Sequence, residues 1–396
     1  MEEKKHKNSD GKLMTWMFLA FLGTVSVISM GKPQKAFSES ENRYLQKRPK
    51  FTVSSLADGS FGVKYEKYLS DQFPGREAWV GIKVAAERLA GREDSNGVYF
   101  GKDGYLIEKF DTEEIEGGQL EKNLRRLAEF SWKAVEMLGE ERVRVMLVPS
   151  ASQIMKDKLP ALAAPYDQEV VTEKLAEEMR TEGKQAEENR ILVPAADILR
   201  EHADEALYYK TDHHWTTAGA FRGYQAWARS MGIKPWEPED FTVHTVTTEF
   251  LGTVHSKVNI PWKPDSIDIW EPKEAADYRV TFDGEPDEYD SLYFYDALEG
   301  KDKYSVFLDG NHAITKIENR GLSGEEKERK LLIIKDSYAH SFSVFAANHY
   351  GTVYMADLRY LNVDMGAWME EQGITDLLVL YQIPGFSKEK SVMKLK

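Results

Sequence analysis

Cysteine is absent from all 396 residues. Thiolate metal sites, thiol nucleophiles and disulfides are thereby excluded. The absence fits a body that works outside the cytoplasm. Positive charge is in deficit, with 52 Lys and Arg against 66 Asp and Glu, a net of −14. The two signs are interspersed, so they describe a solvated surface. Such a surface repels phosphate backbones, and nucleic acid is not an expected partner. Long apolar runs are also scarce. "LMTWMFLAFLGTVSVISM", from Leu13 to Met30, is uncharged and stands behind Lys4, Lys5, Lys7 and Lys12. Eighteen helical residues span roughly 27 Å, close to the hydrocarbon thickness of a bilayer. The run reads as a single-pass signal-anchor in the cell membrane, with the N-terminus inside and the body on the extracytoplasmic side.

What remains is ample for a core: 42% of residues are apolar and 12% aromatic. Residues 1–35 form the tail and anchor. Residues 36–95 read as a juxtamembrane connector with a helical segment, split at Pro74 and Gly75. Residues 96–396 carry the α/β pattern. It opens with a hairpin in "VYFGKDGYLIE" and a helix ending in "KAVEMLG". Apolar strands follow in "RVRVMLVP", "RILVP", "ALYYK", "YSVFLDGN", "KLLIIKD", "TVYMAD" and "DLLVLY". The last three, spaced by helical lengths, predict parallel βαβ units. Residues 233–303, rich in Pro, Asp, Thr and aromatics, break the rhythm and read as a lid-like insertion.

Only nine histidines occur, yet two are adjacent in "YYKTDHHWTTAGA", residues 208–220. On an extended stretch Asp212 and His214 share a side and His213 points away. Asp212 and His214 then make the acid–base half of a nucleophilic triad. Trp215 is placed to wall the site, with Thr216 or Thr217 capping the helix that follows. A metal site is the competing use, but consecutive histidines on a strand suit one ion poorly, and no HExxH is present. Two structural histidines are the third reading.

The nucleophile comes from "KLLIIKDSYAHSF". A buried strand stops at Asp336-Ser337 and a helix follows. Reactive residues gather at the carboxyl ends of such strands. Ser337 also lies near a helix N-terminus, where N–H groups can stabilise an oxyanion. The alternative is that Ser337 merely caps the helix. Ser341 and Ser343 fall inside that helix.

These residues resemble the DHHW family of bacterial proteins, which is similar to the SGNH-like O-acetyltransferases of alginate biosynthesis. "SESENRYLQKRPKF", "LSDQFPGREAWVGIK", "NGVYFGKDGYLI", "FLGTVHSKV", "LDGNHAI", "KDSYAHSF" and "ADLRY" carry the likeness in order, over roughly residues 38–382. The resemblance implies an SGNH-hydrolase-like three-layer α/β/α fold with a mostly parallel sheet. It implies a triad of Asp212, His214 and Ser337, with no metal and no cofactor. The serine follows Lys-Asp rather than the Gly-Asp or Gly-Thr common in that superfamily. Asn311 is the candidate oxyanion donor. Arg359, His213 and Trp215 are candidate substrate-binding residues. The implied activity is O-acetyl transfer to a cell-surface or secreted polysaccharide, with the acyl group arriving through a membrane-bound O-acyltransferase partner. A carbohydrate acetylesterase with the same triad, and a non-catalytic glycan-binding or scaffold protein of the same fold, stay open beside it.

Overall fold

The computed structural model describes residues 2–38, 43–182, 190–274 and 276–395. The chain forms two compact units, one of residues 1–90 with 258–260 and one of the remainder.

In the first unit, helix α1 (Glu2–Gly31) contains the apolar run as Lys12–Ser29, long and apolar enough to cross a membrane. Helix α2 (Val53–Ala57) opens on a capping box between Thr52 and Ser55. Helices α3 (Ser60–Asp71) and α4 (Arg76–Leu89) are the predicted pieces. Pro74 cannot continue α3, and Gly75 turns the chain at φ +67°.

The second unit begins with a hairpin, β1 (Val98–Phe100) and β2 (Leu106–Glu108), followed by α5 (Gly118–Leu138) and β3 (Val143–Val148). Helices α6 (Glu169–Glu182), α7 (Ala195–Glu201) and α8 (Thr217–Ser230) come next. Strands β4 (Phe241–Phe250), β5 (Asp265–Pro272), β6 (Tyr278–Phe282) and β7 (Ile314–Asn319) precede β8 (Lys330–Lys335). The chain closes with α9 (Ala339–Ala346), β9 (Thr352–Ala356), α10 (Met365–Gln372), β10 (Asp376–Gln382) and α11 (Ile383–Lys388).

The central sheet runs β3-β10-β8-β9-β7-β6. β3, β10, β8 and β9 pair in parallel, as expected for strands joined through α9 and α10. β9–β7 and β7–β6 are antiparallel, so the sheet is mixed rather than mostly parallel. Alternation along β8 sends Leu331 and Ile333 to one face and Leu332 and Ile334 to the other. The first face packs against α8 and α9, the second against α5, α6 and α10, giving helices on both sides of the sheet.

Three readings need correction. The 233–303 stretch is not a separate lid, because β6 is an edge strand of the central sheet; β4 and β5 form their own ribbon. "YSVFLDGN" is no strand. Lys303–Val306 is a 3-10 turn, and Leu308, Asp309 and Gly310 follow with φ of 55°, 56° and 76°. "ALYYK" makes only an isolated bridge between Tyr208 and Trp215, closing a tight loop.

Candidate active site

That loop presents the paired histidines. The Thr216 N–H donates to Leu207 O, and the Thr216 hydroxyl accepts from the Gly219 N–H to cap α8. The chain therefore bends through residues 209–214 instead of running extended. Asp212 Oδ1 accepts from the backbone N–H of His214 at 3.0 Å and from its Nδ1 at 2.5 Å. His213 does not point away. Its ring lies 3.8 Å from that of His214, centroid to centroid.

Ser337 approaches from the end of β8. Its Oγ is 2.7 Å from His214 Nε2. It does not cap the helix: α9 begins at Ala339 behind Tyr338, with no side-chain cap. The elbow forms without glycine because Asp336 holds it. One carboxylate oxygen accepts from the Tyr338 N–H at 2.9 Å, the other from the Gln382 N–H at 2.8 Å. Among the described residues no group accepts a hydrogen bond from the Ser337 N–H.

Other residues set this geometry. The Thr253 N–H and hydroxyl donate to Asp212 Oδ2 at 2.7 and 3.0 Å, and the same hydroxyl meets His213 Nδ1 at 2.7 Å. Gly252 packs so closely that a Cβ there would stand 2.3 Å from the Asp212 side chain. Asp265 accepts from the N–H groups of Lys210 and Thr211. Tyr304 lies flat on the His214 ring, 3.8 Å away at 10°, with its hydroxyl 2.9 Å from Ser341 Oγ.

Trp215 was expected at the substrate. It is wholly buried instead, donating Nε1–H to Tyr338 O and stacking near Phe342. It ties the loop of residues 209–214 to the serine elbow and offers no surface to a ligand. Asn311 and Arg359 belong to a second cluster. Arg359 grips Asp357 with two donors and donates to Asn311 Oδ1 at 2.8 Å. Asp357 also lies 3.4 Å from the buried ammonium of Lys335, which burial pushes down to about 8. Among the described residues neither Asn311 nor Arg359 makes a hydrogen bond to Ser337 or His214.

Asp212, His213 and His214 bring ligand-type atoms within 4.8 Å of one another. A cation there would have to displace the bonds that occupy both Asp212 oxygens, His213 Nδ1 and both His214 nitrogens. Both Asp212 oxygens, His213 Nδ1 and both His214 nitrogens are thus already engaged within the protein.

The electrostatics favour a base. Burial alone would raise the Asp212 carboxyl, but His213, His214 and the Thr253 amide outweigh it and hold Asp212 ionised. Burial, then the neighbouring His213, holds His214 below its ordinary 6.5. At neutral pH His214 is uncharged. Its Nδ1–H faces Asp212 and its Nε2 lone pair faces the Ser337 hydroxyl. An imidazole so placed can take the hydroxyl proton and hand it on.

A serine, a histidine and an aspartate so linked, at the carboxyl end of a parallel strand in an α/β sandwich, form the arrangement that serine-based acyl transfer requires. The family model for DHHW protein matches residues 165–356 of the chain. A DHHW family protein from Eubacterium siraeum superposes with a TM-score of 0.61 at 23% identity, covering 76% of this chain and 96% of that one. Bacillus cereus PatB1, solved with a sulfonyl adduct, gives 0.57 at 19% identity, covering 74% and 99%. The O-acetyltransferase domain of Pseudomonas putida AlgJ is a more distant likeness, at 0.43 and 11% identity, covering 76% and 95%. At these identities the first two matches show a shared fold. No curated protein matches the chain.

Proposed function

We propose that this chain is a membrane-anchored, extracytoplasmic O-acyltransferase that moves an acetyl group onto a polysaccharide hydroxyl. The observation that carries the reading is the linked set of Ser337, His214 and Asp212, with spacings of 2.7 and 2.5 Å. His214 Nε2 takes the Ser337 proton as Oγ attacks the donor carbonyl. The Ser337 N–H faces the negative oxygen. As the bond to the leaving group breaks, His214 passes the proton to that group, leaving an acetyl-serine. A sugar hydroxyl then attacks, gives its proton to His214 and frees Ser337 as the proton returns. Asp212 holds the ring and balances its transient charge. In this reading residues 1–35 anchor the chain, residues 36–95 connect, and residues 96–396 perform the chemistry. The donor arrives through a membrane-bound O-acyltransferase partner.

Water in place of the sugar would make the same site an acetylesterase. The discriminating experiment supplies an aryl acetate with a panel of oligosaccharides and analyses products by mass spectrometry. Acetylated sugar, formed at the expense of free acetate, is the expected result. Acetate alone across the panel would leave an esterase. No turnover at all would favour a glycan-binding or scaffold role.

The acid limb of the pH profile is a further test. The base must be uncharged, and His214 lies below its ordinary value, so kcat/KM should rise with pH through a midpoint below 6.5 and then stay flat. In His213→Gln a neighbour that opposes a second positive charge is lost, and the midpoint should move upward. A midpoint unchanged by that substitution would remove His213 from the electrostatics of the base.

A further inference from the structure

Four strands meet the edge of the central sheet that carries Ser337. Ile334 of β8 lies beside Ala356 of β9, Ala356 beside Ile314 of β7, and Thr315 of β7 beside Phe282 of β6. β8, β9 and β6 end at this edge, and β7 begins there. The residues just beyond those pairs therefore form a row: Ser337, then Arg359 and Tyr360, then Asn311 and His312, then Asp283. Three strand spacings separate its ends, about 15 Å.

The row is polar, open and fixed. Arg359, Tyr360, Asn311 and Asp283 are exposed, and Ser337 and His312 are half-buried. Arg359 is gripped by Asp357, donates to Asn311 Oδ1 and lies over the Tyr360 ring, 5.4 Å from its centre. His312 stacks on Phe282 at 4.0 Å and 18°, and its two nitrogens meet Asp283 and Asp309 at 3.3 and 3.1 Å. Asp283 is held in turn by the Ile314 N–H at 2.9 Å. The backbone is strained to present these groups. Asp283, Leu308 and Asp309 have φ of 54°, 55° and 56°, three of the six non-glycine residues with positive φ among those described. Residues so held cluster at ligand sites. The same loop carries Tyr304 onto His214, so it joins the row to the catalytic base.

Charge says what the row accepts. Its cations stand toward the serine and are engaged, Arg359 by Asp357 and Lys394 by the carbonyls of Leu358 and Leu361. The far end is acidic. Residues 283–290 hold five Asp and Glu and no Lys or Arg, and all are exposed. Among the described residues, Arg279 and Arg320 reach only Glu288 of those five. The exposed Asp309 adds another carboxylate. An acidic polymer would be repelled there. Amide, imidazole and carboxylate groups in fixed positions, beside a tyrosine ring, suit sugar hydroxyls, which both donate and accept.

We propose that the acceptor glycan lies along this row, its reacting hydroxyl at Ser337 and its further sugars at His312 and Asp309, and that those further sugars carry no acidic group. The inference rests on the reading of the site as a glycan O-acyltransferase. It adds the direction in which the acceptor runs and its chemical class.

Full-length protein in a sugar-free detergent is titrated with cellotetraose, chitotetraose and tetragalacturonate, and binding is read by calorimetry. Acetyl transfer from an aryl acetate to the same sugars is read by mass spectrometry. The expected result is that an uncharged tetramer binds about tenfold more tightly than tetragalacturonate. Two variants locate the binding. His312→Ala should weaken the uncharged tetramer several-fold and raise its acceptor KM in step, with a smaller change in the KM for the aryl acetate. Asp283→Asn combined with Asp309→Asn, which keeps both shapes, should narrow the preference against tetragalacturonate several-fold. Tetragalacturonate bound as tightly as the uncharged tetramers, or affinities unmoved in His312→Ala, would overturn the proposal, and acetyl transfer by the same protein would leave the transferase standing. Binding that His312→Ala weakens, with no acetyl transfer, would reject the transferase reading and with it the acceptor role of the row. Neither binding nor transfer would reject both.

Discussion

Ser337→Ala should lower turnover of an aryl acetate by about three orders of magnitude or more, with little change in stability. The methyl group cannot attack a carbonyl. The fold loses one hydrogen bond, from Oγ to His214 Nε2, worth about 0.5–1.5 kcal/mol. No helix cap is lost with it, because Ser337 does not cap α9. Activity and melting temperature should therefore separate. His214→Ala should give a similar rate loss, and the double variant should be no worse than either, since members of one triad do not contribute independently. Wild-type turnover in Ser337→Ala, on a substrate the parent cleaves, would reject this nucleophile. Ser341 would not replace it readily, because that hydroxyl is buried against Tyr304.

Gly252→Ala should cost about a hundredfold in kcat, an effect of one added methyl group on a residue that performs no chemistry. The new Cβ would stand 2.3 Å from Asp212 Cβ and Oδ2, inside any permitted contact. Asp212 is buried and held by Thr253 on one oxygen and His214 on the other, so it can yield only by breaking one of those links. The overpacking itself should cost about 1–3 kcal/mol in stability. KM should change less than kcat, because no substrate contact is removed. Near-normal kcat in a folded Gly252→Ala protein would show that the Asp212 position has slack and that its link to His214 is not needed in this form.

The sequence allows much of this site to be read, and particular residues show where reading stops. β8, β9 and β10 were legible because strands buried on both faces are continuously apolar, as in "LLII" and "LLVL". Asp212 and His214 were read as neighbours from a two-residue spacing on an extended chain. They are neighbours, but through a bend in which the carboxylate receives both the backbone N–H and the ring of His214. The same bend stacks His213 beside His214, which the extended picture could not supply. Thr253 and Gly252 lie about forty residues downstream in a stretch without periodicity, and nothing local links "LGT" to the loop it clamps. Tyr304 was read as part of a strand. It lies instead in the 3-10 turn Lys303–Val306, with left-handed residues at 308–310 behind it, and a single sequence does not announce either. The glycine missing before Ser337 is replaced by the Asp336 carboxylate, a long-range solution because one of its two partners is the amide of Gln382 on β10.

The stack on His214 constrains the order of events. Tyr304 lies flat on the imidazole at 3.8 Å and 10°, and the ring of His213 is 3.8 Å away at 37°. Asp212 fixes Nδ1, and these contacts hold the ring in one orientation. Nε2 must therefore serve the departing alcohol and the incoming one from a single position, in succession. In the proposed transfer, the spent donor would then leave before an acceptor enters. Initial-rate plots at several acceptor concentrations should accordingly be parallel lines, the signature of a double displacement, and a large glycan should compete with the donor for the unacylated site.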